Sequence, residues 1–204
     1  MTRIMTSEQG TNEWLQDRAG VITASNFSKV FTSTGKASTS RDGLINQLIA
    51  ENLTGAATET FKSAAMQRGN DLEPEARALA EMILDVDIEE TGLIKMDEHE
   101  IGCSPDGLFD LDGPTGIEIK CPNPATHVAY LRAGKLPTAY VQQVQGTMLV
   151  LGLPSYWFLS YCPGMKYFLT KVERDFNLTA KAEVLLFEAA DIVKRETTNL
   201  EDRL

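Results

Sequence analysis

Asp106, a gap of eleven residues, then Glu118-Ile119-Lys120: in this chain of 204 residues, these types at this spacing could do chemistry. Two carboxylates suit Mg²⁺, a hard cation that takes oxygen ligands and keeps several waters, one of which can become an attacking hydroxide. Strand side chains alternate between faces, so a strand through 117–121 puts Lys120 on the face of Glu118 and turns Ile119 to the other. The ammonium can then orient or deprotonate the water and offset charge in a phosphorane-like transition state. The Ile119 carbonyl stays level with the carboxylates as a further ligand. Together these groups meet the needs of metal-assisted phosphodiester hydrolysis. The plainer alternative is a solvated hairpin joined through Asp112-Gly113-Pro114-Thr115-Gly116. Against it, Ile117, Ile119 and Cys121 bracket the charged pair as in a half-buried central strand, where charges need a reason.

The elements that must position these groups can be traced along the chain. Helices are expected over 12–18, closed by Gly20, and from about Ala24, capped by Thr23 or Ser25. Leu44, Ile45, Leu48, Ile49 and Leu53 recur at helical spacing, and Gly55 ends that helix. Residues 63–84 read as helical, with Gly69 and Pro74 forcing a break or kink. Strands follow at about 87–95, 100–103, 106–110 and 116–121, then helices at 125–133 and 138–151, strands at 155–161 and 167–173, and a last helix over 178–200. Strands in the middle with helices at both ends predict one α/β domain, a central mixed β-sheet flanked by helices.

The net charge of −10 argues against a nucleic-acid partner, because phosphate neutralisation by Lys and Arg normally dominates affinity. The acidity is local, however: residues 71–112 hold 14 Asp and Glu against Arg77 and Lys95, a net of −12, leaving +2 elsewhere. A metal would cancel part of it, and the rest suits an outer face that repels DNA. Cys103, Cys121 and Cys162 are odd in number and lack C-x-x-C spacing, so neither a disulfide framework nor zinc is expected, and a reducing cytoplasm fits. No signal-like segment or membrane span is expected. His99 and His127 read as surface or packing residues, and Trp157, Phe158 and Tyr161 as a core strand. No G-x-x-x-x-G-K-[ST] loop occurs, so no ATP hydrolysis is implied.

Five segments together carry a resemblance. These are 14–25 (WLQDRAGVITAS), 68–74 (RGNDLEP), 103–107 (CSPDG), 118–122 (EIKCP) and 142–145 (QQVQ). In this order they resemble the phage lambda exonuclease family, the YqaJ-type viral recombinases of the PD-(D/E)xK nuclease superfamily, over most of the chain. The resemblance implies a restriction-endonuclease-like core and a Mg²⁺-dependent exonuclease, with Mn²⁺ as a substitute and one or two ions. It would digest the 5′ strand of linear double-stranded DNA from its ends, as a ring-shaped homotrimer partnered by a single-strand annealing protein, in a bacterial host's cytoplasm. Carried onto these residues, Asp106, Glu118 and the Ile119 carbonyl become metal ligands and Lys120 activates the water. Glu73 is the additional acid, with Asp71 and Glu75 as alternatives. Arg18 and Ser25 grip a 5′-terminal phosphate, helped by the start of a helix near Ser25, while Ser104 and Gln143 bond phosphate oxygens near the cut. A ring would gather Arg41, Lys62, Arg132 and Lys135 around its channel. A PD-(D/E)xK endonuclease shares the metal core without needing the Arg18 and Ser25 pocket, and an inactive DNA-binding scaffold would keep only the fold.

Overall fold

The computed structural model describes residues 2–5, 7, 11–58 and 63–203. Two mixed sheets of four strands divide the strands that the sequence suggests as one. The first has the order β1-β3-β4-β2, from β1 (Thr2–Ile4), β2 (Ile22–Thr23), β3 (Ile94–Met96) and β4 (Ile101–Cys103). The second runs β5-β6-β7-β8, from β5 (Gly107–Asp110), β6 (Pro114–Lys120), β7 (Ser155–Ser160) and β8 (Phe168–Glu173). Within it β6 pairs antiparallel with β5 and parallel with β7, so β6 is an interior strand with neighbours on both edges.

Helices cover these sheets where their apolar faces dictate. Around the first sheet, α2 (Phe27–Val30), α3 (Arg41–Thr54) and α7 (Phe176–Glu201) close a core of Phe27, Phe31, Leu48, Ile101 and Leu186. The Leu44-to-Ile49 face of α3 is buried as its spacing predicts, and Gly55 caps it with φ 65°. Against the second sheet, α4 (Ala64–Leu84) lays Ala76 and Ala80 on Ile117, Ile119 and Leu159. On its other side α6 (Val141–Leu151) packs Val144 and Met148 on Tyr156 and Phe158. A Cβ on Gly146 would come within 2.0 Å of the Phe27 ring, so the bare glycine lets α6 close on the start of α2. The remaining helices are α1 (Asn12–Asp17) and α5 (Pro124–Ala133).

Three expectations are corrected. Helix α4 runs unbroken through Gly69 and Pro74. Proline there forfeits one bond to the Asn70 carbonyl, but burial of Ala76, Arg77 and Ala80 holds the helix on the sheet. The strand expected over 87–95 is reduced to β3 plus a lone bridge from Glu89 to Leu108, and between them Gly92 passes tightly against the Met5 and Ser7 carbonyls. The helix near Ser25 is a 3₁₀ turn over Ala24–Asn26 followed by the four residues of α2. No helix among the described residues is long and apolar enough to cross a membrane. Cys103, Cys121 and Cys162 are all free and buried.

Candidate active site

Strand β6 is buried on both faces from Thr115 to Ile119, which is why a carboxylate on it costs so much and matters. Ile117 and Ile119 point into the core beneath α4, and Glu118 points the other way, towards the start of α6. There its side chain, 1% exposed, accepts from Gln143 Nε2 at 2.6 Å and forms an ion pair with Lys120. Asp106 stands just ahead of β5, whose first pair joins Gly107 to Ile117. Its Oδ2 accepts from the Ile119 N–H at 2.6 Å, taking the place of the next rung of the ladder. A strand residue's N–H and C=O point to the same edge, so the Ile119 carbonyl is turned to the Asp106 side.

Burial pushes the Glu118 carboxyl up to about 7, with Lys120 opposing and Asp106 adding to the shift. Asp106 is raised too, chiefly by burial, against the pull of Lys120, the Ile119 amide and Arg77. Burial works to lower Lys120, but Glu118 and Asp106 outweigh it and hold the amine protonated well above its ordinary range. The Tyr140 ring faces that ammonium at 5.3 Å. Lys120 is therefore a standing positive charge and donor.

Helical geometry separates the three candidate acids of α4. Asp71 is exposed and takes a bond from Gln67, and Glu75 is bonded by the Tyr161 hydroxyl. Glu73 lies on the opposite side of α4, where burial, reinforced by the nearby Asp106 charge, lifts it to about 7. It accepts from Arg77 Nη2 at 2.6 Å; Arg77 also donates from Nε to the Asp106 carbonyl at 3.2 Å and pairs with Glu90.

A second cluster gathers around Arg18. Its guanidinium donates to Ser104 Oγ at 3.2 Å, Thr23 Oγ1 at 3.0 Å and Ser25 Oγ at 3.1 Å, and lies 4.3 Å from the Trp14 ring. Burial draws its pKa down to about 10, which leaves it cationic at neutral pH. The Trp14 indole N–H is buried without a partner among the described residues. With α2 so short, an anion here would meet a guanidinium, hydroxyls and an indole N–H instead of a helix terminus. Arg18, Ser25, Trp14, Glu73 and Arg77 all line one cavity of about 670 Å³. Ser104 and Asp106, two residues apart, tie the clusters together.

The structure thus brings Asp106, Glu118, Ile119, Lys120, Glu73 and Gln143 to one place and Arg18, Ser25 and Ser104 to an adjoining one. Gln143 is bound to Glu118, and neither neighbour is idle: Gln142 donates to the Phe31 carbonyl, and Gln145 is held to Glu173 and Asp175. His127 is a buried packing residue bonded to Ser160 and the Lys166 carbonyl, and His99 stacks on Phe187. Phe158 is fully buried in the core. Arg41 is paired with Glu188, and Lys62 falls outside the described residues. Sequence reasoning gave no site role to Arg77, Thr23, Trp14 or Tyr140: Trp14 and Thr23 stood inside the 14–25 segment without one, and the four-residue step from Glu73 to Arg77 reads as an ordinary surface ion pair.

Comparisons with known proteins place the chain in a family. The YqaJ-like viral recombinase domain matches residues 13–154, which include both clusters. The chain belongs to that family. An alkaline exonuclease from Laribacter hongkongensis is similar at 35% identity over 95% of this chain and 97% of its own, with a TM-score of 0.84. Its complex with dAMP matches over the same shares at a TM-score of 0.83. A phage-related exonuclease from Haemophilus somnus 129PT shares the fold at 16% identity, over 88% of this chain and 96% of its own, with a TM-score of 0.68. Comparison with curated proteins returned no match. Family membership covers β6 and the Arg18 cluster alike, and it makes the α/β class of the two sheets that of a YqaJ-type exonuclease fold.

One consequence is measurable without substrate. A carboxyl raised to about 7 binds a proton more readily folded than unfolded, so its contribution to stability falls as pH climbs from the ordinary 4.5 through about 7. Glu118→Gln removes that penalty. In EDTA at pH 8 the variant is expected to gain about 1–3 kcal/mol, a rise of several degrees in melting temperature, and to gain nothing below the ordinary carboxylate pKa. A lower melting temperature at pH 8 would contradict the charge burden assigned to this carboxylate.

Proposed function

We propose that this protein is a Mg²⁺-dependent 5′→3′ exonuclease that degrades the 5′ strand of linear double-stranded DNA and leaves 3′ single strands. The observation that carries the reading is the joining of the Asp106, Glu118 and Lys120 group to the Arg18 and Ser25 group through the short run Ser104-Pro105-Asp106, beside a cavity that Arg18, Ser25, Glu73 and Arg77 line. A nuclease is also what the family and the exonuclease relative support.

The donor set fits a hard divalent cation. Among the described residues, no group of three or more His, Cys, Asp or Glu side chains is placed to hold a metal by itself. Asp106, Glu118 and the Ile119 carbonyl make an open oxygen set, which suits an ion that keeps waters. When bound, Mg²⁺ would supply an activated water and offset charge on the phosphate. Lys120 holds a fixed ammonium where negative charge gathers in the transition state. Gln143 keeps the Glu118 carboxylate from turning, and Glu73 offers an acceptor near neutrality that can hold a proton from water. Arg18, Ser25 and the Trp14 N–H would take the terminal phosphate, and Ser104 stands between that phosphate and the cut. The reading extends, as the resemblance to the phage lambda exonuclease family implies, to a homotrimer ring working with a single-strand annealing protein in a bacterial host's cytoplasm, of phage or prophage origin.

End-labelled linear duplex in Mg²⁺, beside the same DNA as a closed circle and beside an EDTA control, tests the reading. Progressive loss of the 5′ strand from the linear form alone is expected. Nicking of the circle would favour a PD-(D/E)xK endonuclease, and the absence of metal-dependent cleavage would leave only a DNA-binding scaffold.

A further inference from the structure

We infer that Arg77 is a positioning residue of the cleavage site, one guanidinium that sets Glu73 and Asp106 at a fixed distance from each other; the inference rests on the nuclease reading above. Arg77 is 9% exposed, unusual for an arginine of a surface helix. Its Nε donates to the Asp106 main-chain carbonyl at 3.2 Å, its Nη2 to Glu73 at 2.6 Å, and its Nη1 pairs with Glu90. Three polar contacts from three edges of one planar group leave it little freedom to turn.

What is held matters more than the number of bonds. Asp106 is fixed twice, its carboxylate by the Ile119 N–H of β6 and its main chain by Arg77 of α4. Glu73 is one helical turn before Arg77, so the bond that stiffens it runs along the helix and points it towards Asp106. The guanidinium therefore makes α4, which covers the sheet on one side, share a rigid joint with the strand end that carries the acid. A lysine could satisfy one of these groups, not the fork. The Glu90 contact differs in kind: that side chain is 68% exposed, so it closes the outer edge of the joint and is not the part that aims the acids.

The test compares Arg77→Met, Arg77→Lys, Glu90→Gln, Glu73→Gln and the Arg77→Met/Glu73→Gln pair. Four quantities are read: maximal cleavage rate on 5′-phosphorylated linear duplex, the Mg²⁺ concentration at half-maximal rate, DNA-end affinity in EDTA, and the melting temperature of the metal-free protein. Arg77→Met is expected to slow the maximal rate by about 10- to 100-fold and to raise the Mg²⁺ midpoint, because displaced acids no longer meet the ion and water in register. End affinity stays within about threefold of the parent, since positioning and substrate grip are separate. Arg77→Lys regains the parent melting temperature while remaining slow, which guards against loss of fold as the cause. Adding Arg77→Met to Glu73→Gln costs far less than the product of the two single losses, the signature of residues acting as one unit.

Three results overturn the inference: Arg77→Met and Arg77→Lys both cleaving at the parent rate and Mg²⁺ midpoint, full multiplicative losses in the pair, or Glu90→Gln reproducing the whole defect. The last would make Arg77 a tie for the 86–92 segment. Failure of the nuclease reading looks different: the parent protein itself would then show no Mg²⁺-dependent cleavage that Asp106→Ala abolishes.

Discussion

Asp106→Ala and Glu118→Ala are each expected to lower cleavage of linear duplex by about 10³-fold or more, because each removes an inner ligand oxygen worth several kcal/mol to the transition state. End binding persists or tightens as negative charge leaves the site. Lys120→Ala loses turnover and keeps the metal, since the ammonium neutralises charge and holds no ion. Gel assays of cleavage beside calorimetric Mg²⁺ titration separate the two outcomes. The structure sharpens the comparison: Lys120 is held protonated by the Glu118 and Asp106 carboxylates, so its loss removes a charge the site is built around. Near-parent rates for Asp106→Ala would show that the Asp106 and Glu118 pair is not the cleavage centre.

The second large effect is on direction. Linear duplex with 5′-phosphate ends is expected to be degraded much faster than the same duplex with 5′-hydroxyl ends, leaving long 3′ strands. Every cut regenerates a 5′ phosphate, so each product end is again a substrate. Arg18→Ala removes a charge-assisted contact of about 1.5–3 kcal/mol, which shrinks the preference about tenfold to a hundredfold and leaves Mg²⁺ binding unchanged. Arg18→Lys recovers only part of it, because three hydroxyls and the Trp14 face are met by a planar fork that an ammonium cannot copy. Equal rates on both kinds of end, or resection of the 3′ strand, would sink the 5′ reading and leave the metal site standing.

The candidate site was legible because chemistry at the end of a buried strand leaves few permitted types: Glu118 and Lys120 stand out amid Ile117, Ile119 and Cys121. Long amphipathic helices were legible for the same reason, with Gly55 marking its own left-handed cap. Strands β1 and β2 were not, being three and two residues long and too short to show a period. The unbroken α4 was hidden because Pro74 argues locally for a break, and only the sheet beneath overrules it. The division into two sheets depends on which strands pair at a distance. The fork of Arg77 escaped notice since a cation four residues after an acid is commonplace until the buried main chain it touches is known.

Ser104-Pro105-Asp106 also acts as a ruler. One end of this short run meets the Arg18 guanidinium and the other meets the Ile119 amide, so the residues that touch the two clusters are at most about 7 Å of backbone apart. Proline in the middle fixes one torsion and keeps the interval from stretching. If Arg18 takes the terminal phosphate as proposed, a strand gripped at one mark would be severed at the next, and these three residues would set the stride by covalent geometry.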